Sequence, residues 1–181
     1  RNGYVANAYH DGDYNYYNRN KSHPNMGYNY KGCNGGLKIN CDYFPESDIE
    51  MIEQSIKDYI NESLFITYYM TVSGHLEYNY KDNIIARKNK KYVEDLNYDE
   101  SIKAYLATQI ELDKAVELLI KELEKANKLD DTVIVISADH YPYGLSKKAI
   151  KQNTNYIKDE KFDIHKNNFI IWNNKLKESI E

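Results

Sequence analysis

Apolar residues along this chain recur at helical spacing in some stretches and run continuously in others, and the two patterns predict its framework. Ile49, Ile52, Ile56, Tyr59 and Ile60 follow Pro45 at helical spacing, and Ser47 with Glu50 forms a capping box that starts the helix. Leu64 to Val72 is rich in β-branched and aromatic residues and apolar on both faces, which predicts a central strand. Residues 73–98 are polar and irregular, long enough to predict a functional loop or an excursion over a site. A long helix is predicted from about Asp99 to Lys128. Its apolar face carries Ile102, Leu106, Ile110, Ala115, Val116, Leu119, Ile120 and Leu123, with Glu117 and Lys121 paired one turn apart. Val133 to Ile136 is a short, continuously apolar run that predicts a parallel strand buried on both faces, and Phe169 to Trp172 predicts a last strand. Strand, long helix, strand reads as a βαβ unit, so the fold class is α/β, a largely parallel sheet flanked by helices.

Composition narrows the function classes. The 181 residues contain no repeat, linker or composition break, which reads as one continuous domain or a part of one. At 41% hydrophobic and 29% charged, the chain lies outside the range where sequences stay disordered. No apolar run approaches the ~18 residues a membrane span needs. With 24 basic against 28 acidic side chains and no concentrated basic stripe, nucleic acid is not an expected partner. The 19 tyrosines, against 4 Phe and 1 Trp, read first as codon bias in an AT-rich genome and second as a binding surface. The chain opens Arg1-Asn2-Gly3-Tyr4 without Met, so a longer protein is expected. Cys33 and Cys41 flank a short Gly-rich loop that lets a disulfide close in an oxidising compartment and leaves free thiols in a reducing one; with no other Cys, a Cys-rich zinc site is excluded.

In open α/β sheets function gathers at the carboxyl ends of strands. One predicted strand runs into Ser73-Gly74-His75 and another into Ser137-Ala138-Asp139-His140. An adjacent Asp-His pair at a strand end offers a hard carboxylate oxygen and an imidazole nitrogen to one divalent ion; the plainer alternative is an Asp capping the following turn. Two ligands alone under-coordinate a catalytic metal. Tyr9 to Arg19 combines His10, Asp11, Asp13, several aromatics and Arg19 in a segment without helical or strand period. Such a loop can bind phosphate through the planar fork of Arg19 and the imidazole of His10, with Tyr17 as an apolar wall, or it can be a solvated Tyr/Asn-rich loop. His23 and His165 lack strand-end context and read as structural. No Ser or Thr sits in a nucleophile elbow, and there is no phosphate-binding P-loop.

Taken in order, these segments resemble one family. His10 with Tyr16-Tyr17-Asn18-Arg19, then Gly27-Tyr28, then Thr71-Val72-Ser73-Gly74-His75, then Asp131 to His140 resemble the extracellular catalytic domain of lipoteichoic acid synthases, phosphoglycerol transferases of the sulfatase and alkaline phosphatase superfamily. The resemblance covers about residues 1 to 175 and implies a partial alkaline phosphatase-like fold, the C-terminal portion of the catalytic domain. It implies that Asp139 and His140 hold one Mn²⁺ or Mg²⁺. It also implies that His10, Tyr17, Arg19 and His75 hold the head group of a lipid-linked phosphoglycerol donor, which is passed to a glycolipid or polymer acceptor on the outer face of the cell membrane. The family's Thr nucleophile and a Glu ligand would lie upstream, with the membrane helices. Departures are Tyr17 for Trp, Asn20 for Asp, Gly74 for Asn, and Pro142-Tyr143 before Gly144. Phosphoethanolamine transferases and sulfatases of the same superfamily, and a non-catalytic surface-binding module, are the alternatives.

Overall fold

A computed structural model describes residues 2–154, 159 and 161–178 of the chain. In chain order its elements are β1 (Val5–Asp13), α1 (Arg19–Asn25), β2 (Asn29–Cys33), β3 (Gly36–Leu37), α2 (Asp48–Ser55), β4 (Phe65–Met70), α3 (Ile84–Asn89), α4 (Glu100–Lys125), β5 (Ile134–Ser137), α5 (Lys147–Asn153) and β6 (Phe169–Trp172). Four strands pair parallel in the order β3-β2-β1-β4, with helices against them, which is the α/β architecture the pattern predicts.

The strands themselves correct several expectations. Residues 5–13 carry no readable period, yet they form the longest strand and the middle of the sheet. Both faces of β1 are covered, so Asn7 through Gly12 are all buried, and a strand of small and polar residues buried on two sides shows no alternation. The strand expected at the centre, β4, instead borders this sheet, with Ile66 and Tyr68 about half exposed. β5 pairs antiparallel with β6 in a separate two-stranded ribbon, and Val133 and Val135 are mostly exposed. A short apolar run does not distinguish a strand covered on both faces from one left uncovered among the described residues. β4, α4 and β5 therefore form no crossover unit; the parallel crossovers are β1-α1-β2 and β3-α2-β4.

Residues in register share a face, so Ala8, Tyr30 and Tyr68 lie on one side and Tyr9 on the other. Tyr9, Leu37, Met51, Ile56 and Tyr59 pack on the side of α2, with Leu119 of α4 closing over them. Tyrosine serves there as a core residue because its hydroxyl is satisfied. Tyr9 donates to Asp58 at 3.0 Å, and the hydroxyls of Ser55 and Tyr59 meet that of Tyr69 at 2.9 and 2.8 Å. On the other side His23 of α1 lies buried between the rings of Tyr30 and Tyr68, the structural role expected of it.

Residues 73–98 are not a bare loop. They contain α3, whose N-cap Asn83 accepts from Ala86, and they carry Tyr78, Ala86 and Val93 into a cluster against Ile102, Ala104 and Ala107 of α4. The buried side of α4 combines the small Ala104, Ala107, Thr108 and Ala115 with Ile102, Glu111 and Leu123, while Ile110, Val116, Leu119 and Ile120 are only half-buried. Ser47 caps α2 as expected, accepting from the Glu50 amide at 3.3 Å, while the Glu50 carboxylate turns away to the Asn40 amide at 2.8 Å. Cys33 and Cys41 are joined as a disulfide, Cα atoms 6.0 Å apart.

Candidate active site

His10 lies on the α1 side of β1, and just beyond it the pairing with β2 slips between His10 and Asp13. Such a bulge re-aims side chains at a strand end. Gly12, inside the bulge, supports the imidazole so closely that a Cβ there would stand 2.3 Å from its Cε1. His10 is 5% exposed, and its Nδ1 has no hydrogen-bond partner. Burial pushes its pKa down to about 4, and the nearby charge of Arg19 pushes the same way.

Arg19 opens α1 after Tyr17 and Asn18, both in left-handed backbone at φ 52° and 55°. Its guanidinium carbon sits 5.6 Å from the Tyr16 ring centre and 5.5 Å from that of Tyr17, and its Nη1 is buried without a partner. The Tyr16 ring is also 5.9 Å from His10, so this one ring joins the two groups. Tyr17 is 76% exposed and covers the outer side of Arg19.

His75 follows β4 in a turn in which its amide donates to the Val72 carbonyl at 2.9 Å. Its ring meets Phe44 edge-on at 5.0 Å. Together with Leu76, Glu77 and Asp82 these residues line a cavity of about 250 Å³. Nε2 of His75 lies 3.4 Å from the Tyr143 hydroxyl, and the Tyr143 ring is 4.8 Å from that of His140. The Tyr16 phenol is pushed up mainly by its hydrogen bond to Tyr17.

Asp139 and His140 follow β5 at the surface, Oδ1 and Nε2 3.4 Å apart, with side-chain exposures of 87% and 44%. A carboxylate and an imidazole so placed suit a hard divalent ion, yet no cluster of three His, Cys, Asp or Glu capable of holding a metal occurs among the described residues.

Sequence reasoning gave no role to a set of buried acids behind His10, of which it named only Asp11. Asp48, at the start of α2, accepts from the amides of Val72 at 3.0 Å and Ser73 at 3.2 Å and from the Ser73 hydroxyl. Asp11 is fully buried beside it, and burial first, then Asp48, push its pKa well above the ordinary carboxylate range. Burial likewise pushes Glu46 up to about 7. The acidic first turn after Ser47 signals Asp48 alone; Asp11 stands in the cluster over 9–19 without a role of its own, and Glu46 carries no signal. Tyr16 and Tyr143 stand in the compared motifs and were given no role, being hidden among the many tyrosines.

The sulfatase family model matches residues 1–181. Lipoteichoic acid synthase 1 of Bacillus subtilis (strain 168) is 26% identical over 152 residues, covering 77% of this chain and 22% of that protein. Lipoteichoic acid synthase of Staphylococcus aureus (strain NCTC 8325 / PS 47) is 26% identical over 155 residues, covering 78% and 22%. Among solved structures, the lipoteichoic acid synthase LtaP from Listeria monocytogenes superposes with a TM-score of 0.73 at 19% identity, covering 98% of this chain and 45% of that one. The Streptococcus pyogenes phosphoglycerol transferase GacH, in complex with sn-glycerol-1-phosphate, superposes at 0.66 and 21%, covering 96% and 44%. These two likenesses establish the shared fold. The chain spans about a fifth of the length of the curated relatives and under half of these solved chains.

Proposed function

The chain belongs to the sulfatase family, within the alkaline phosphatase superfamily of enzymes, and from that premise we propose that it is the C-terminal portion of the catalytic domain of a metal-dependent phosphoglycerol transferase. The donor is a lipid-linked phosphoglycerol and the acceptor a cell-envelope glycolipid or polymer, with the reaction on the extracellular face of the membrane. Similarity to lipoteichoic acid synthases supports this reading.

The observation that carries it is the pair of buried, unpartnered nitrogens around Tyr16: Nδ1 of His10 and Nη1 of Arg19. Leaving a buried polar group unmade costs about 1–3 kcal/mol. A phosphate oxygen supplies the missing acceptor for Arg19, and for His10 in the tautomer with its proton on Nδ1, and charge-assisted bonds to Arg are the stronger kind. Tyr17 walls the head group from solvent, and His75 supplies a further imidazole. Asp139 and His140 are the two ligands this chain contributes to Mn²⁺ or Mg²⁺. When bound, the ion would supply charge neutralisation at the phosphoryl group and activation of the Thr nucleophile. That Thr and the remaining ligands belong to polypeptide outside this chain. His10, Arg19 and His75 hold and orient the phosphoryl group while it moves from donor to enzyme and on to the acceptor hydroxyl.

Titration of the chain with sn-glycerol 1-phosphate tests the reading. Saturable binding is expected, at least tenfold weaker in Arg19→Ala and His10→Ala, with no turnover. Equal binding by wild type and both variants, or metal-dependent phosphodiester cleavage by the 181-residue chain alone, would overturn it.

A further inference from the structure

The turn that carries His75 has no ladder of its own. Strand pairing along β4 ends at Met70, and buried side chains hold the backbone that follows. Asn83, the N-cap of α3, donates to the carbonyls of His75 at 3.3 Å and Glu77 at 2.9 Å, and the Tyr78 hydroxyl donates to that of Gly74 at 3.0 Å. Ahead of His75 the work falls to one side chain. Asp48, in the first turn of α2, accepts on Oδ1 from the Val72 amide at 3.0 Å and the Ser73 amide at 3.2 Å, and on Oδ2 from the Ser73 hydroxyl. Asp48 and Ser73 are both 0% exposed, so water is not at hand to replace these bonds. Three donors that converge on one side chain call for a group accepting at both oxygens, which a carboxylate provides and a side-chain amide, with its single carbonyl oxygen, does not.

We propose that Asp48 is a positioning residue, the anchor on α2 that sets where the His75 imidazole stands. The connection is short. Asp48 fixes the amides of Val72 and Ser73, the Val72 carbonyl receives the His75 amide at 2.9 Å, and Gly74 alone separates Ser73 from His75. The imidazole takes little support from its ring partners, because Phe44 and Tyr143 are each about half exposed, so its place follows its backbone. The anchor itself is held from two sides. Ser47, next to Asp48, donates to Glu111 of α4, and Met51, one turn along α2, lies in the same buried cluster as Tyr9, the chain neighbour of His10. α2 thus relates the His75 turn to the strand of His10. The spacing of the two imidazoles assigned to the phosphoryl group depends on Asp48, and this consequence rests on the phosphoglycerol reading.

The first measurement needs no ligand. Asp48→Asn keeps one acceptor oxygen for the two amides and leaves none for the Ser73 hydroxyl, whereas Asp48→Ala removes every acceptor. In NMR spectra the His75 ring signals should shift and the ring's contacts with Phe44 and Tyr143 should weaken, more in Asp48→Ala than in Asp48→Asn, while the His10 ring keeps its wild-type signals. Ser73→Ala removes the hydroxyl donor alone and should give a smaller shift of the same ring, which keeps the test open if Asp48→Ala does not fold. The second measurement is a double-mutant cycle on binding of sn-glycerol 1-phosphate. Asp48→Asn should weaken binding about tenfold, the size of one buried group left unmade. The loss should be the same in a His10→Ala background and absent in a His75→Ala background, where no imidazole remains to be misplaced. His75 ring signals that stay at their wild-type positions in Asp48→Asn and Ser73→Ala overturn the proposal, as does a loss of affinity that is equal with and without the His75 imidazole. If the ring responds as expected while the wild-type chain binds no glycerol phosphate, the anchor stands and the phosphoglycerol reading fails.

Discussion

The hydroxyl of Tyr143 lies 3.4 Å from Nε2 of His75, across 68 residues of sequence. β4 and β5 belong to different sheets, so strand pairing does not bring their following loops together. Tyr143 does. Its ring packs on His140 while its hydroxyl reaches His75, which joins the residues assigned to the metal with those assigned to the phosphoryl group.

Tyr143→Phe should keep the ring contact with His140 and lose the bond to His75. A single hydrogen bond of this kind contributes about 0.5–1.5 kcal/mol, so glycerol phosphate affinity should fall between two- and tenfold. The His75 ring signals should shift in the NMR spectrum. Unchanged His75 signals would mean that the two loops are positioned independently.

Gly12→Ala should displace the His10 ring, because the added Cβ would stand 2.3 Å from Cε1 and 2.8 Å from Nδ1. Overpacking costs about 1–3 kcal/mol in a buried site. Phosphate affinity should drop at least tenfold while the far-UV spectrum stays native. Wild-type affinity in this variant would show that His10 does not hold the anion.

Helices α2 and α4 were legible because their signals are local: the Ser47 cap and the apolar stripe of α4 act within a few residues, whereas the short α1, α3 and α5 were not predicted. Strand placement was less so. Whether Val133 to Ile136 is covered depends on distant chain, and its continuous apolar run carries no record of that. β1 escaped notice for the converse reason: Asn7, His10 and Asp11 are buried polar residues whose partners lie elsewhere. The site divides in the same way. The residues assigned to the phosphoryl group, His10, Arg19 and His75, stand in motifs, whereas Asp48 on the Val72 and Ser73 amides, and Tyr143 on His75, act through contacts that only the fold creates.

Stability should respond to pH through two opposed groups. The His10 imidazole is pushed from 6.5 to about 4, chiefly by burial, so the unfolded chain takes up its proton first. Its contribution is lost as pH falls from about 6.5 toward 4, by roughly 3 kcal/mol in total. Glu46 is pushed from 4.5 to about 7 by burial, so its contribution is full below 4.5 and is lost as pH rises through 7. Urea unfolding at several pH values should show His10→Gln gaining on wild type toward acid and Glu46→Gln gaining toward neutral. Curves parallel to wild type would refute both assignments.

The disulfide closes a loop with a sequence separation of 8 between Cys33 and Cys41. Chain-entropy arithmetic for so short a loop gives about 2–3 kcal/mol of stabilisation. Reduction, or Cys33→Ser with Cys41→Ser, should lower stability by that amount and loosen the Asn40 contact to Glu50. A double Ser variant as stable as the oxidised chain would show that the loop is held by its packing alone.

Glu111 joins α4 to two other helices, and its side chain is fully buried. It accepts from Ser47 at 2.5 Å, Lys88 at 2.9 Å and Asn89 at 3.1 Å. Burial favours its protonated form, yet these three donors outweigh burial and bring its pKa below the ordinary value of 4.5. Its contribution to stability is therefore present above pH 4.5 and lost as pH falls below it. Glu111→Leu removes the acceptor and leaves the hydroxyl of Ser47 and the amide of Asn89 buried and unmade, which should cost about 3–5 kcal/mol. Glu111→Gln, which retains one acceptor oxygen, should cost less than half as much. The Leu variant should also loosen the N-terminus of α2, since Ser47 caps that helix and Asp48 follows it; faster exchange of the Val72 and Ser73 amides would report the loosening. A Leu variant of wild-type stability would mean that the apolar contacts of α4 with α2 and α3 hold these helices without the ionic network.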